Sequence, residues 1–162
     1  MGKTKKTNAI RMLDTKKISY KVYTYEQRDG KIDGVSVAKK LGKDPRCVFK
    51  TLVVQSGTNQ LYVFVIPVTE ELDLKKAAKV AGEKKVEMLP VKELQKWTGY
   101  VRGGCSPIAM KKTYPVFIDK QAFNCQKIIV SGGKIGIQIE LSPTDLQKVV
   151  NAKIEDLVKE GA

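Results

Sequence analysis

Two segments rich in β-branched and aromatic residues, Cys47 to Gln55 and Leu61 to Val68, are separated only by Ser56-Gly57-Thr58-Asn59. So short and polar a connection suits a hairpin, and it commits the middle of the chain to neighbouring antiparallel strands. The rest must cover that hairpin. Residues 5–16 carry Ala9, Ile10 and Leu13 at helical spacing, with Arg11, Lys16 and Lys17 outside, and predict a first helix. Ile18 to Tyr25 predicts a strand, and Arg28 to Gly34 a polar loop. Ser36 is placed to cap a short helix, Val37 to Leu41, closed by Gly42.

Asp44-Pro45 marks a turn. Asp73 to Ala81 and Pro90 to Trp97 predict two more helices, with a short extended piece from Val86 to Leu89 between them. Gly99 to Pro107 reads as a glycine-rich loop. Val116 to Asp119, Ile128 to Ser131 and Ile135 to Leu141 are further strand candidates. Ser142-Pro143 opens a final helix to about Asn151, and Ile154 to Lys159 suggests a last turn. Interspersed elements, some strands adjacent in sequence, predict an α+β fold. The expectation is a single domain, 1–162, around a curved, barrel-like mixed β-sheet.

The inventory of reactive groups narrows the chemistry. The 162 residues include no histidine. Ser-His and Cys-His catalytic pairs are therefore excluded, as are metal sites that rely on histidine. Cys47, Cys105 and Cys125 make an odd count without CxxC spacing, so neither a disulfide framework nor a zinc site is expected. No cofactor is expected either. Thirty Lys plus Arg against 17 Asp plus Glu give a formal charge of +13, which suits a phosphate-rich partner. Charge alone does not separate RNA, DNA and acidic membranes; solubility is an equally good reason for spread-out lysines. No apolar run reaches membrane-spanning length, and Met1 to Thr7 is basic and polar, so a cytoplasmic location is expected.

Three features are candidates for function. In Val48-Phe49-Lys50-Thr51-Leu52-Val53-Val54, strand alternation puts Lys50 on one face with Val48, Leu52 and Val54. An ammonium there is either a site group or a snorkelling lysine whose head reaches water. In Gly99 to Pro107, the adjacent Gly103 and Gly104 allow backbone N–H groups to approach a ligand or an oxyanion; an ordinary wide turn is the competing reading. Cys105 lies beside them, but nothing in the sequence activates it. Ser131-Gly132-Gly133-Lys134 reads as a tight turn between strands.

These segments, with Thr24-Tyr25-Glu26, Leu72 to Ala78, Lys84 to Met88 and Thr98-Gly99-Tyr100, resemble the YbaK/EbsC family of bacterial aminoacyl-tRNA deacylases, relatives of the editing domain of prolyl-tRNA synthetase. The matching pieces occur in order from about Lys5 to Lys159. The resemblance implies removal of cysteine from tRNA(Pro), or also from tRNA(Cys), as a safeguard of translation fidelity. It implies aminoacyl-tRNA as substrate, prolyl-tRNA synthetase as a partner, and neither DNA nor membrane. Carried over by position, Lys50 contacts the tRNA 3′ end and Gly103 borders the aminoacyl ester, while Tyr25, Thr51, Gly104 and Ser106 bind substrate. Gln138 stands where some relatives have Asp, so it offers the substrate amine an acceptor without a counter-charge. The implied chemistry is attack of the substrate's own thiol on its ester. The alternatives are a water-based deacylase, for example of Ala-tRNA(Pro), and a non-catalytic tRNA- or synthetase-binding module.

Overall fold

The computed structural model describes residues 6–160. Met1 to Lys5, where the first predicted helix would begin, lie outside the described residues, as do the last two. Five helices are described: α1 (Asn8–Thr15), α2 (Gly34–Leu41), α3 (Leu74–Ala81), α4 (Val91–Thr98) and α5 (Pro143–Val150). The eight strands are β1 (Lys21–Thr24), β2 (Phe49–Ser56), β3 (Leu61–Pro67), β4 (Val86–Met88), β5 (Val116–Asp119), β6 (Ile128–Lys134), β7 (Ile137–Leu141) and β8 (Lys153–Glu155).

The strands form two sheets, ordered β1-β7-β6 and β4-β2-β3-β5-β8. The smaller is antiparallel throughout. In the larger, β2 runs antiparallel to β3 and β4, while β3–β5 and β5–β8 are parallel. The mixed α+β character is therefore as expected. The strand pairing does not close into a barrel; the sheets meet at one seam. One edge of β2 belongs to β3, and the other is shared by β4 at its far end and, through a Val48–Ile129 bridge, by β6 at its start.

Every residue of β3 is buried, because both sheet faces are covered there. Val63 and Val65 pack into one cluster with Ile118, Ile139 and Leu146. Tyr62, Phe64 and Ile66 enter another, where Phe64 stacks on Phe117 with ring centroids 5.2 Å apart. The hairpin β2–β3 pairs Phe49 with Pro67 through to Gln55 with Leu61, and Asn59 takes the left-handed conformation in its turn. Ser142 caps α5 by accepting from Asp145 N–H, as its position before Pro143 predicts.

Local readings failed where a competing group was available. The cap of α2 is Asp33, not Ser36: the carboxylate accepts the Ser36 N–H at 3.1 Å and starts the helix three residues earlier than Val37. Ile154 lies in a strand, not a helical turn, because β8 completes a parallel ladder on β5. Gly132 and Gly133 do not make the β6–β7 turn. They form an irregularity within β6, and the turn falls at Ile135-Gly136.

The cysteine expectation is also corrected: Cys47 and Cys125 form a disulfide. Their sequence separation of 78 conceals that each ends a short 3-10 turn leading into a strand at the seam, Cys47 before β2 and Cys125 before β6. A loop of that length, once cross-linked, restricts the unfolded chain by about 4 kcal/mol. Reduction by a dithiol is expected to lower the melting temperature by about 10 °C. Calorimetry with and without reductant checks this, and an unchanged transition would count against the bridge.

Candidate active site

A cavity of about 830 Å³ opens at the seam, a volume suited to a small-molecule-sized group. The start of β2 supplies one side with Val48, Phe49, Lys50, Thr51 and Leu52. The glycine-rich loop after α4 supplies Arg102, Gly103 and Cys105, and the β6–β7 hairpin supplies Ser131 and Gln138. Gly30, Ile32 and Asp33, with the start of α2 and Val68, form the remaining wall.

The two glycine segments are packed against each other, so a side chain at Gly104 or Gly133 would collide with the facing segment. A Cβ on Gly104 would lie 2.8 Å from the Ile135 nitrogen and 3.0 Å from the Lys134 carbonyl carbon. A Cβ on Gly133 would lie 2.9 Å from the Tyr100 ring. Tyr100 is itself fixed, donating from its hydroxyl to the Ile108 carbonyl at 2.6 Å. Burial raises its pKa to about 12, so it stays a neutral donor. The Thr7 hydroxyl donates to the Gly132 carbonyl and ties the start of α1 to the same hairpin.

Lys50 is half-buried. As alternation predicted, it shares its face with Leu52 and Val54, which pack in the cluster around Phe64. Burial lowers its pKa below the ordinary lysine range; the Glu71 and Glu70 carboxylates oppose the shift. Its ammonium makes no ion pair among the described residues, and Lys50 is one of the residues that line the cavity. Thr51, its neighbour, has a fully enclosed hydroxyl with no hydrogen-bond partner. An unsatisfied buried hydroxyl costs about 1–3 kcal/mol.

The other predicted positions divide. Gly103 and Gln138 line the cavity. Gly103 has φ +83°, and a Cβ there would come within 2.8 Å of Ile32 Cδ1. Gln138 pairs in register with Ser131 on β6 and Tyr23 on β1 and is 6% exposed. Tyr25, Gly104 and Ser106 are not among the lining residues. Tyr25 is buried with an unpartnered hydroxyl. The Gly104 N–H donates to the Val101 carbonyl at 2.9 Å, so it is not available to an oxyanion in this conformation. Ser106 is fully buried, and its hydroxyl accepts the Ile108 N–H at 3.2 Å, shaping the loop from within.

Among the described hydrogen bonds, the N–H groups of Gly103 and Cys105 take no partner, and both residues line the cavity. The Cys105 thiol is buried and its pKa is pushed up to about 12, chiefly by burial and against a hydrogen bond with Thr98. At neutral pH it is a thiol, a poor nucleophile. Arg102, Ser131 and the wall from Gly30 to Val35 were missed as site residues. The flagged Gly99–Pro107 and Ser131–Lys134 segments contain Arg102 and Ser131, but neither residue was singled out.

Among the described residues, no group of three or more Cys, Asp or Glu side chains is placed to hold a metal, and no helix is long and apolar enough to cross a membrane.

The pattern that defines the aminoacyl-tRNA editing domain matches residues 33–149. Over 152 residues the chain is 45% identical to the Enterococcus faecalis protein named "Putative Cys-tRNA(Pro)/Cys-tRNA(Cys) deacylase EbsC", covering 94% of this chain and 93% of that one. Two crystal structures share the fold. One, of a hypothetical protein, has a TM-score of 0.86 at 22% identity, with 94% of this chain and 100% of that chain covered. The other, described as "a putative trans-editing enzyme for prolyl tRNA synthetase", has a TM-score of 0.83 at 21% identity, with 93% and 94% covered. The extent of the matched pattern and of the 45% identical relative places this chain in the aminoacyl-tRNA editing domain family.

Proposed function

We propose that this protein is a deacylase that removes cysteine from mischarged tRNA(Pro), and from tRNA(Cys), by letting the substrate attack itself. The single observation that carries the reading is the composition of the cavity. Among the described residues it joins Lys50, which makes no ion pair, Arg102, the helix-capping Asp33, backbone N–H groups without a described partner and neutral polar side chains, with Cys105 held as a thiol and no histidine in the chain.

An aminoacyl ester is already activated, so such a site suffices if the nucleophile comes with the substrate. The cysteine thiol attacks its own carbonyl carbon, forming a carbon–sulfur bond. The carbon–oxygen bond to the terminal ribose then breaks, and the thiol proton ends on the departing ribose oxygen. The strained cyclic thioester is opened by water to give free cysteine. Lys50 holds the phosphate or terminal nucleoside of the tRNA 3′ end. The Gly103 and Cys105 N–H groups face the developing oxyanion, and a well-placed donor of this kind contributes about 3 kcal/mol. Thr51 and Gln138 accept from or donate to the aminoacyl group. Tyr25, Gly104 and Ser106 serve from behind the lining: Gly104 and Ser106 hold the loop, and Tyr25 backs the wall.

The test is single-turnover deacylation of tRNA charged with Cys, Ser, Ala or Pro. Cys105 supplies an internal control. Cys105→Ala removes a protonated thiol but keeps the backbone N–H, so its rate is expected to stay within about threefold of wild type, a rate ratio worth well under 1 kcal/mol. Abolished turnover in Cys105→Ala with normal folding would instead make Cys105 the nucleophile.

A further inference from the structure

The loop that leads into the wall is held by one side chain from the last turn of α2. Lys40 Nζ donates to the Asp29 carboxylate at 2.8 Å, to the Lys31 carbonyl at 2.9 Å and to the Glu26 carbonyl. An ammonium has three N–H donors, and all three are used on one loop. The side chain is 20% exposed, and its head lies 5.7 Å from the centre of the Tyr25 ring. Asp29 in turn accepts the Lys31 N–H at 3.0 Å, and the Lys40 hydrogen bond helps hold its carboxyl below the usual carboxylate range. Gly30, in the left-handed conformation, lets the loop fold back between these contacts.

This loop reaches the reactive side of the cavity. Ile32 Cδ1 lies against Gly103, close enough that a single added carbon on Gly103 would collide with it. Asp33 caps α2, and Gly34 sits so tightly on Val68 that a Cβ would overlap its side chain at 2.1 Å. The wall is therefore clamped at one end by α2 packing and at the other by Lys40. Between the clamps it touches the loop that borders the reacting ester.

We propose that Lys40 is a positioning residue for deacylation, latching residues 26–33 across the cavity so that Ile32 holds the aminoacyl group against the Gly103 loop. The proposal rests on the deacylase reading above. Lys40 contacts no substrate. It acts through the wall, so its loss degrades the geometry of attack more than the grip on the tRNA, most of which goes to phosphate.

The experiment measures kcat and KM of the full chain for cysteinyl-tRNA(Pro), with melting temperature and folded fraction, in Lys40→Met, Lys40→Arg and Asp29→Ala. Lys40→Met keeps the aliphatic stem and removes all three donors. It is expected to lower kcat about tenfold or more, because small misplacements near a reacting centre are costly, with KM changed less than about threefold. Lys40→Arg retains donors and charge, and restores most of kcat. Asp29→Ala removes one of the three acceptors at an exposed position, and gives an intermediate loss even if Lys40→Met fails to fold. A kcat within twofold of wild type in Lys40→Met, or in Asp29→Ala where Lys40→Met does not fold, overturns the proposal. So does a loss that merely follows the folded fraction. Wild-type turnover with unaffected variants sinks the latch alone; absence of wild-type turnover sinks the deacylase reading and the latch with it.

Discussion

Lys50→Ala is expected to lower kcat/KM for cysteinyl-tRNA(Pro) by more than about 100-fold, equivalent to about 2.7 kcal/mol of lost transition-state stabilisation. The reasoning starts from burial. Half-sunk on an apolar strand face, Lys50 makes no ion pair among the described residues, and desolvation lowers its pKa. Burial thus makes the charged form costly, and on the proposed reading a phosphate of the bound tRNA end would offset that cost. Removing the cation would leave a phosphate bound there without its counter-charge, beside the apolar face that Lys50 shares with Leu52. The sign of the pH dependence follows. A lysine with a lowered pKa loses its charge as pH rises, so the alkaline limb of kcat/KM falls earlier than for an ordinary lysine. Whatever activity Lys50→Arg retains should lack this limb, because guanidinium remains charged throughout the range. Pre-steady-state rates from neutral to alkaline pH, corrected for spontaneous ester hydrolysis, provide the check. Lys50→Ala turning over within a few-fold of wild type would remove Lys50 from the site.

Substrate choice should show the second large effect. Cysteinyl-tRNA(Pro) is expected to be cleared more than about 1,000-fold faster than alanyl-tRNA(Pro), since positioned intramolecular nucleophiles gain several kcal/mol over external ones. Seryl-tRNA carries a hydroxyl of the same reach but far weaker nucleophilicity, and should fall close to the alanyl rate. No shape argument gives this ordering, because serine and alanine are no larger than cysteine and all enter a cavity of this volume. Equal clearance of the alanyl and cysteinyl esters would point to a bound water as nucleophile. Retention of tRNA without hydrolysis of any ester would instead favour a binding module.

The chain's own pattern made several of these features legible. Lys50 stood out because a charge interrupts an alternation of apolar residues, a property of nearest neighbours along one strand. The Ser142-Pro143 helix start and the β2–β3 hairpin were equally local, and both stand as read. The absence of histidine excluded whole classes of chemistry before any fold was known.

Other features depended on segments far apart in the chain. Lys50 and Gly103 were named as site residues from a resemblance, but only the Val48–Ile129 seam and the packing of Gly104 on Lys134 and Ile135 bring their segments to one cavity. The Cys47–Cys125 bridge was invisible for the same reason. Ser106 and Gly104 were named as substrate contacts from the resemblance alone, and only the folded loop shows that the Ser106 hydroxyl accepts the Ile108 N–H and the Gly104 N–H donates to the Val101 carbonyl. Local spacing determines which elements form and which residue types are on hand, because capping, alternation and turn chemistry act over a few residues. Which surfaces face each other, and hence which N–H groups remain free and which lysine holds a wall, is decided by long-range packing that no window of sequence contains.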